Sequence, residues 1–204
     1  MKKYKVRFAY KVTQRLLLFI MKAFWNMRIE GMEEAKLKEG SIVCANHQTF
    51  FDPPFLGAIL PMEAYYLTKA ELFRHKFFGS LISFYNAFPI DRRGYTKSTL
   101  KYCDQLLRQG KTLIIFPEGS RKSFIAKPGI ARIAWNAEVP IYPVKIENID
   151  RFKECLLRGK QLRFIFRRPI YPEDYKKVAN SKPDYKKMAR NILDIINGIE
   201  SDEN

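Results

Sequence analysis

Cysteine, histidine and long apolar runs are all scarce in this 204-residue chain. The three cysteines, Cys44, Cys103 and Cys155, are odd in number and widely spaced, with no CxxC pair. That excludes a disulfide scaffold and a zinc ribbon and suits a reducing compartment. With only two histidines, His47 and His75, any imidazole chemistry has two candidates. The longest unbroken apolar run, residues 16–21, ends at Lys22, well short of the ~20 residues that cross a bilayer. No small-residue cleavage site follows it, since Trp25 and Asn26 stand there, so it does not read as a signal peptide. What remains is 47% hydrophobic and 28% charged, enough apolar matter for one well-packed domain and too much for a disordered chain.

Acid is missing from the first 29 residues, which carry eight Lys/Arg. Residues 30–150 are nearly balanced, with 16 basic and 13 acidic, whereas residues 151–190 hold 13 basic and 4 acidic. The net charge of +16 therefore sits on two flanks of an almost neutral middle. Nucleic acid, an anionic membrane and an acidic carrier protein all suit such flanks. Arg7, Lys11, Arg15 and Lys22 recur at helical spacing, with Val12, Leu16, Phe19, Ile20, Ala23, Phe24 and Met27 opposite. Residues 1–28 thus read as a basic amphipathic helix lying on a membrane surface, and residues 29–204 as the domain proper. An ordinary amphipathic helix packed on that domain has the same pattern.

Further along, residues 41–45, 65–68, 87–90, 112–116, 141–146 and 162–166 read as strands. Residues 53–60, 71–84, 96–109, 129–137 and 184–199 read as helices. Asp52 is the expected N-cap of the first, with Pro53 at its first position. Leu100, Cys103, Leu106 and Leu107 form one apolar face, and Met188, Ile192, Ile195 and Ile199 another. Strands alternating with helices imply an α/β domain with a largely buried sheet.

Two clusters of polar residues follow predicted strands. The first is Asn46-His47-Gln48-Thr49-Phe50-Phe51-Asp52. On a helix His47 and Asp52 point apart, but a strand-to-helix turn lets them meet, and a carboxylate-held imidazole is a general base. Asp52 before two prolines is equally a good helix cap without catalysis. The second is Pro117-Glu118-Gly119-Ser120-Arg121, at the carboxyl end of the strand 112–116. Ligands of open α/β sheets bind at such ends, Gly119 allows close backbone approach, and Arg121 can hold a phosphate. Alone, it is equally a strand-ending turn with a surface ion pair.

Together and in order, four blocks carry more than either cluster. Asn46-His47-x-Thr49-x-x-Asp52, Phe88-Pro89-Ile90-Asp91-Arg92, Phe116-Pro117-Glu118-Gly119-Ser120-Arg121 and Val139-Pro140-Ile141-Tyr142-Pro143-Val144 resemble the blocks of the glycerolipid acyltransferase family. Within it the chain is most similar to bacterial lysophosphatidic acid acyltransferases, and Leu67–Phe73 resembles the segment that lies between the first two blocks. The resemblance spans about residues 28–146. It implies a single α/β domain with a mixed sheet flanked by helices, like that of glycerol-3-phosphate acyltransferases. It also implies that His47 deprotonates the acceptor hydroxyl with Asp52 orienting it. Arg92, Glu118 and Arg121, with Gly119 and Ser120 in the same loop and Lys69 beside them, would bind the glycerol phosphate. The expected reaction is direct acyl transfer from acyl carrier protein or coenzyme A to lysophosphatidic acid, without acyl-enzyme, cofactor or metal. The expected place is the cytoplasmic face of the cell membrane, with the protein held there peripherally or monotopically and no nucleic acid as partner. The same chemistry on another lysophospholipid or a glycolipid, and a basic nucleic-acid-binding module, are the competing readings. Cys44 reads as a buried hydrophobe and His75 as a surface residue. Two residues depart from the family pattern: Asn86 stands where Gly usually opens the second block, and Ser120 where Thr is commoner.

Overall fold

The computed structural model describes residues 7–90, 96–121, 123–176 and 183–199. In chain order these form α1 (Phe8–Trp25), β1 (Arg28–Glu30), α2 (Met32–Ala35), β2 (Ile42–Ala45), α3 (Asp52–Ile59) and β3 (Ala64–Lys69). A 3-10 helix (Ala70–Arg74) leads into α4 (Lys76–Phe84), β4 (Ala87–Ile90), α5 (Lys97–Arg108), β5 (Thr112–Ile115) and α6 (Gly129–Ala137). The chain closes with β6 (Ile141–Glu147), α7 (Phe152–Leu156), β7 (Arg163–Phe166), α8 (Pro172–Lys176) and α9 (Tyr185–Asn197). The seven strands make one mixed sheet in the order β1-β7-β6-β2-β5-β3-β4. The β6–β7 pair is antiparallel and every other pair is parallel.

Short apolar strands without polar alternation belong to a sheet covered on both faces, and β2 and β5 are buried throughout. Val43, Ala45 and Ile114 turn to one core with Met21, Phe55 and Leu56. Ile42, Cys44, Leu113 and Ile115 turn to the other, with Leu106, Ile130, Ile133 and Ile192. Each such aliphatic side chain contributes about 1.5–3 kcal/mol when fully buried. The alternation along β2 therefore fixes its register and sends its carboxyl end, with His47 beyond it, out between two neighbours.

Several expectations shift by local physics. Asp52 is the first residue of α3, not its cap: Phe51 holds the cap position without a side-chain bond, because the Asp52 carboxylate is taken up by the preceding turn. The expected helix 71–84 is two pieces that break at His75. Gly79 of α4 presses on the 3-10 helix so closely that a Cβ there would lie 3.0 Å from the Phe73 carbonyl oxygen. In α9 the buried face is Ala189, Ile192, Leu193 and Ile196, with Ile195 half-buried; the helix ends at Asn197, and Ile199, beyond the left-handed Gly198, is exposed. β1, α2, α7 and α8 span only three to five residues, too short to stand out by periodicity.

The helix α1 packs on α3 and α7. Tyr10 and Met21 are buried, and the Gln14 amide donates to the carbonyls of Gly57 and Leu60. Its outward side exposes Phe8, Val12, Leu16 and Phe19 together with Lys11, Arg15 and Lys22. Arg7 leaves the basic stripe. Its backbone N–H and Nε donate to buried Glu63, and its Nη2 donates to the Phe84 carbonyl and to Asn86 Oδ1. Burial pushes the Glu63 carboxyl up, but the bonds from Arg7 and Asn86 outweigh it and hold Glu63 below the usual carboxylate range. Among the described residues no helix is long and apolar enough to cross a membrane.

Candidate active site

The strands β2 and β5 lie side by side and parallel, with Cys44 opposite Ile115. Three residues past each stand His47 and Glu118, so the register alone brings them level. The His47 backbone N–H donates to Glu118 Oε2 at 2.8 Å. Phe116, which precedes the turn out of β5, stacks on the His47 imidazole with ring centroids 4.4 Å apart. On the other side of β2, the Asn46 amide bonds both backbone groups of Ile146, donating at 3.0 Å and accepting at 2.7 Å. The residue before the histidine is thus clamped to β6, and the histidine itself to the loop after β5.

Beyond His47 the chain turns back on a single carboxylate. Asp52 Oδ2 accepts from His47 Nδ1 at 2.6 Å, from Gln48 N at 2.5 Å and from Thr49 N at 2.9 Å; Oδ1 accepts from Thr49 Oγ1 at 2.9 Å. The Asp52 side chain is fully buried, whereas that of His47 retains 19% exposure. A carboxylate on Nδ1 places that proton on Nδ1 and leaves Nε2 as the free lone pair. The site therefore holds an imidazole in one tautomer, with no hydrogen bond at its other ring nitrogen among the described residues.

Glu118 is buried to 5% exposure. Burial pushes its carboxyl up to about 7, against the opposing pull of the His47 N–H and Lys145. Gly119, at φ +65°, turns the chain, and Ser120 and Arg121 emerge exposed. The Arg121 guanidinium lies 3.5 Å above the ring of Phe50, a residue within the His47–Asp52 turn. The two loops thus touch at His47–Glu118 and again at Phe50–Arg121. Lys69 is exposed at the carboxyl end of β3, the neighbour of β5 in the sheet. It thus stands at the same carboxyl end of the sheet as the loops after β2 and β5. Arg92 lies outside the described residues; it follows β4, which pairs with β3 up to Lys69–Ile90.

This carboxyl end of the sheet, with its fixed His–Asp pair and adjacent cationic loop, can be set against known proteins. The sequence model of the Acyltransferase family matches residues 26–147. The chain belongs to the acyltransferase family. Relatives include the 1-acyl-sn-glycerol-3-phosphate acyltransferase of Bacillus subtilis, 30% identical over 81% of this chain and 84% of its own length. The Streptococcus pneumoniae protein of the same name is 37% identical over 69% of this chain and 53% of its own length. Among solved structures, the 1-acyl-sn-glycerophosphate (LPA) acyltransferase PlsC from Thermotoga maritima has a similar fold. Its TM-score is 0.65 at 22% identity, covering 94% of this chain and 80% of that one. The matched family region takes in β1 through β6, and so every residue described above at this end of the sheet.

Asn86, one of the two departures from the family pattern, keeps the turn that a glycine would make: its φ is +62°, a left-handed conformation that asparagine tolerates better than most residues. Its side chain donates to Glu63 Oε2 and to the Ala64 carbonyl. Ser120 exposes its hydroxyl as Thr would. The sequence reasoning missed Asn46 as a clamp, Thr49 as a second-oxygen donor, Phe116 as the ring under His47 and Phe50 as the seat of Arg121. All four lie in or beside the sequence blocks, but only the fold shows what each one touches. Cys44 is buried, and burial pushes its thiol up, so it stays a protonated hydrophobe at the base of the site. No group of three or more His, Cys, Asp or Glu stands close enough to hold a metal ion among the described residues.

Proposed function

We propose that this acyltransferase moves a fatty acyl group from a thioester, acyl carrier protein or acyl-coenzyme A, to the free hydroxyl of lysophosphatidic acid, giving phosphatidic acid. The observation that carries the mechanism is the 2.6 Å bond between His47 Nδ1 and Asp52 Oδ2 beside an open Nε2. The acceptor hydroxyl binds at Nε2 and gives up its proton as its oxygen attacks the thioester carbonyl. The tetrahedral intermediate collapses, and the departing thiolate takes the proton back from the imidazolium. Buried Asp52 stabilises that imidazolium by charge and direction, as a carboxylate does behind any base-acting histidine. A thioester is already activated, so a base and correct placement suffice and no acyl-enzyme forms. Arg121, Ser120, Lys69 and Arg92 hold the phosphate of the acceptor. Glu118 braces the loop through the His47 N–H.

Lipid substrates suit a membrane surface, and we place the enzyme peripherally on the cytoplasmic face. Support comes from the outward side of α1 and from Phe50, Phe51, Phe124 and Ile125, which stand exposed on the two active-site loops. Each Lys or Arg near an anionic surface adds about 1 kcal/mol of attraction. The test is acyl transfer by the purified protein, with both donor types crossed against lysophosphatidic acid and other lysolipids. Phosphatidic acid should form from the wild type and not from His47→Ala. Transfer only to another lysolipid, or label retained on the protein after acid quenching, would overturn the acceptor or the direct-transfer step.

A further inference from the structure

Lys127 has no assigned part in the site, yet its side chain lies across the site's glycine. A Cβ built on Gly119 would sit 2.9 Å from Lys127 Cδ and 3.2 Å from its ammonium nitrogen. The Lys127 backbone is pinned where this happens. Its N–H donates to the Pro117 carbonyl at 2.8 Å, and two residues later α6 begins with buried Gly129 and Ile130. Lys127 is exposed and forms no ion pair with a carboxylate among the described residues. Residues 119–127 contain Arg121, Lys122 and Lys127 and no acid. A cation held by its own stem over a loop, without an acid to neutralise it, is positioned for an anion that arrives from outside.

We infer that Lys127 is a phosphate-binding residue, closing over the Gly119–Arg121 loop on the phosphate monoester of the acceptor. This deepens the function proposed above and rests on it. The stem of Lys127 lies over Gly119, and Arg121, two residues further along the same loop, stacks on the Phe50 ring. A doubly charged phosphate can engage both, whereas a neutral glycerol headgroup engages neither. It follows that Lys127 favours phosphate-bearing acceptors over phosphate-free ones.

The test compares Lys127→Met, which keeps the stem over Gly119 and removes the charge, with Lys127→Arg, which keeps the charge. Steady-state rates are measured on lysophosphatidic acid, on monoacylglycerol with the same chain, and with acyl-coenzyme A varied. The expected result for Lys127→Met is a KM for lysophosphatidic acid raised on the order of tenfold, the loss of one charge-assisted hydrogen bond. The KM for the donor, kcat at saturation and any rate on monoacylglycerol stay at wild-type values, and Lys127→Arg recovers most of the loss. An unchanged KM for lysophosphatidic acid, or a raised donor KM instead, overturns the assignment while leaving the proposed function standing. A wild-type protein that does not acylate lysophosphatidic acid at all defeats the proposed function itself. If Lys127→Met folds poorly by thermal melting, Lys127→Gln against Lys127→Arg supplies the same comparison.

Discussion

The two loops that meet at the candidate active site are built in opposite ways. The turn from β2 to α3 is closed on itself: four donors from three consecutive residues converge on the buried Asp52 carboxylate, and Asn46 ties its start to β6. The loop from β5 to α6 is tied down near its two ends, by Glu118 on the His47 N–H at the start and by Lys127 N on the Pro117 carbonyl at the finish. Between these, Ser120, Arg121, Phe124 and Ile125 stand in solvent. A proton transfer demands placement within tenths of an ångström, which a dense hydrogen-bond network supplies. A lipid headgroup and its surface demand charge and apolar area that are free to be covered. On the proposed mechanism, chemistry sits on the closed loop and substrate handling on the open one.

The comparison breaks if the closed turn tolerates change. His47→Ala and Asp52→Asn should give the largest losses, on the order of 10²–10⁴-fold in kcat, the range of general base catalysis. His47→Ala should keep its fold. Asp52→Asn should also lose stability, about 1–3 kcal/mol, because an amide NH2 then faces backbone donors. Activity assays with urea melts distinguish the two effects, and an active, folded His47→Ala protein would end the base assignment. Next in size, Asn46→Ala strands the N–H and C=O of Ile146 and should cost about 1–3 kcal/mol in a urea melt.

Glu118, the joint between the loops, gives a smaller and pH-dependent effect. Its carboxyl is raised by burial from the ordinary 4.5 to about 7, so between those values the folded protein keeps a proton that the unfolded chain releases. Stability from this group therefore falls as pH rises through that window and is level above it. Glu118→Gln should remove that slope, seen by comparing melting temperatures of the two proteins from pH 4.5 to 7.5. Smallest of all, Phe50→Leu takes the ring from beneath Arg121. An exposed cation–π contact is worth about 0.5–1 kcal/mol, or roughly two- to fivefold in the acceptor KM. Thermal stability should not move, since Phe50 is largely exposed.

Much of this was written in the sequence as local pattern. The strands read at 112–116 and 141–146, found at Thr112–Ile115 and Ile141–Glu147, and the helix read at 96–109, found at Lys97–Arg108, follow from apolar runs and periodicity that act over a few residues. The four spaced blocks carried the family, and a strand followed by His and Asp carried the candidate base. What spacing left open was decided by contacts across the chain. Asp52 could cap a helix or hold an imidazole, and only the folded turn, with its carboxylate buried and three donors on one oxygen, makes it the latter. Asn46 reads as part of a motif until Ile146, a hundred positions away, comes alongside. Arg7 belongs to a basic stripe by periodicity and to Glu63 by tertiary packing. Lys127 is one of many lysines until Gly119 passes beneath it. Periodicity and capping are properties of neighbours in sequence, and so are legible there; the partners of a buried charge are neighbours in space, and strand order alone decides which residues those are.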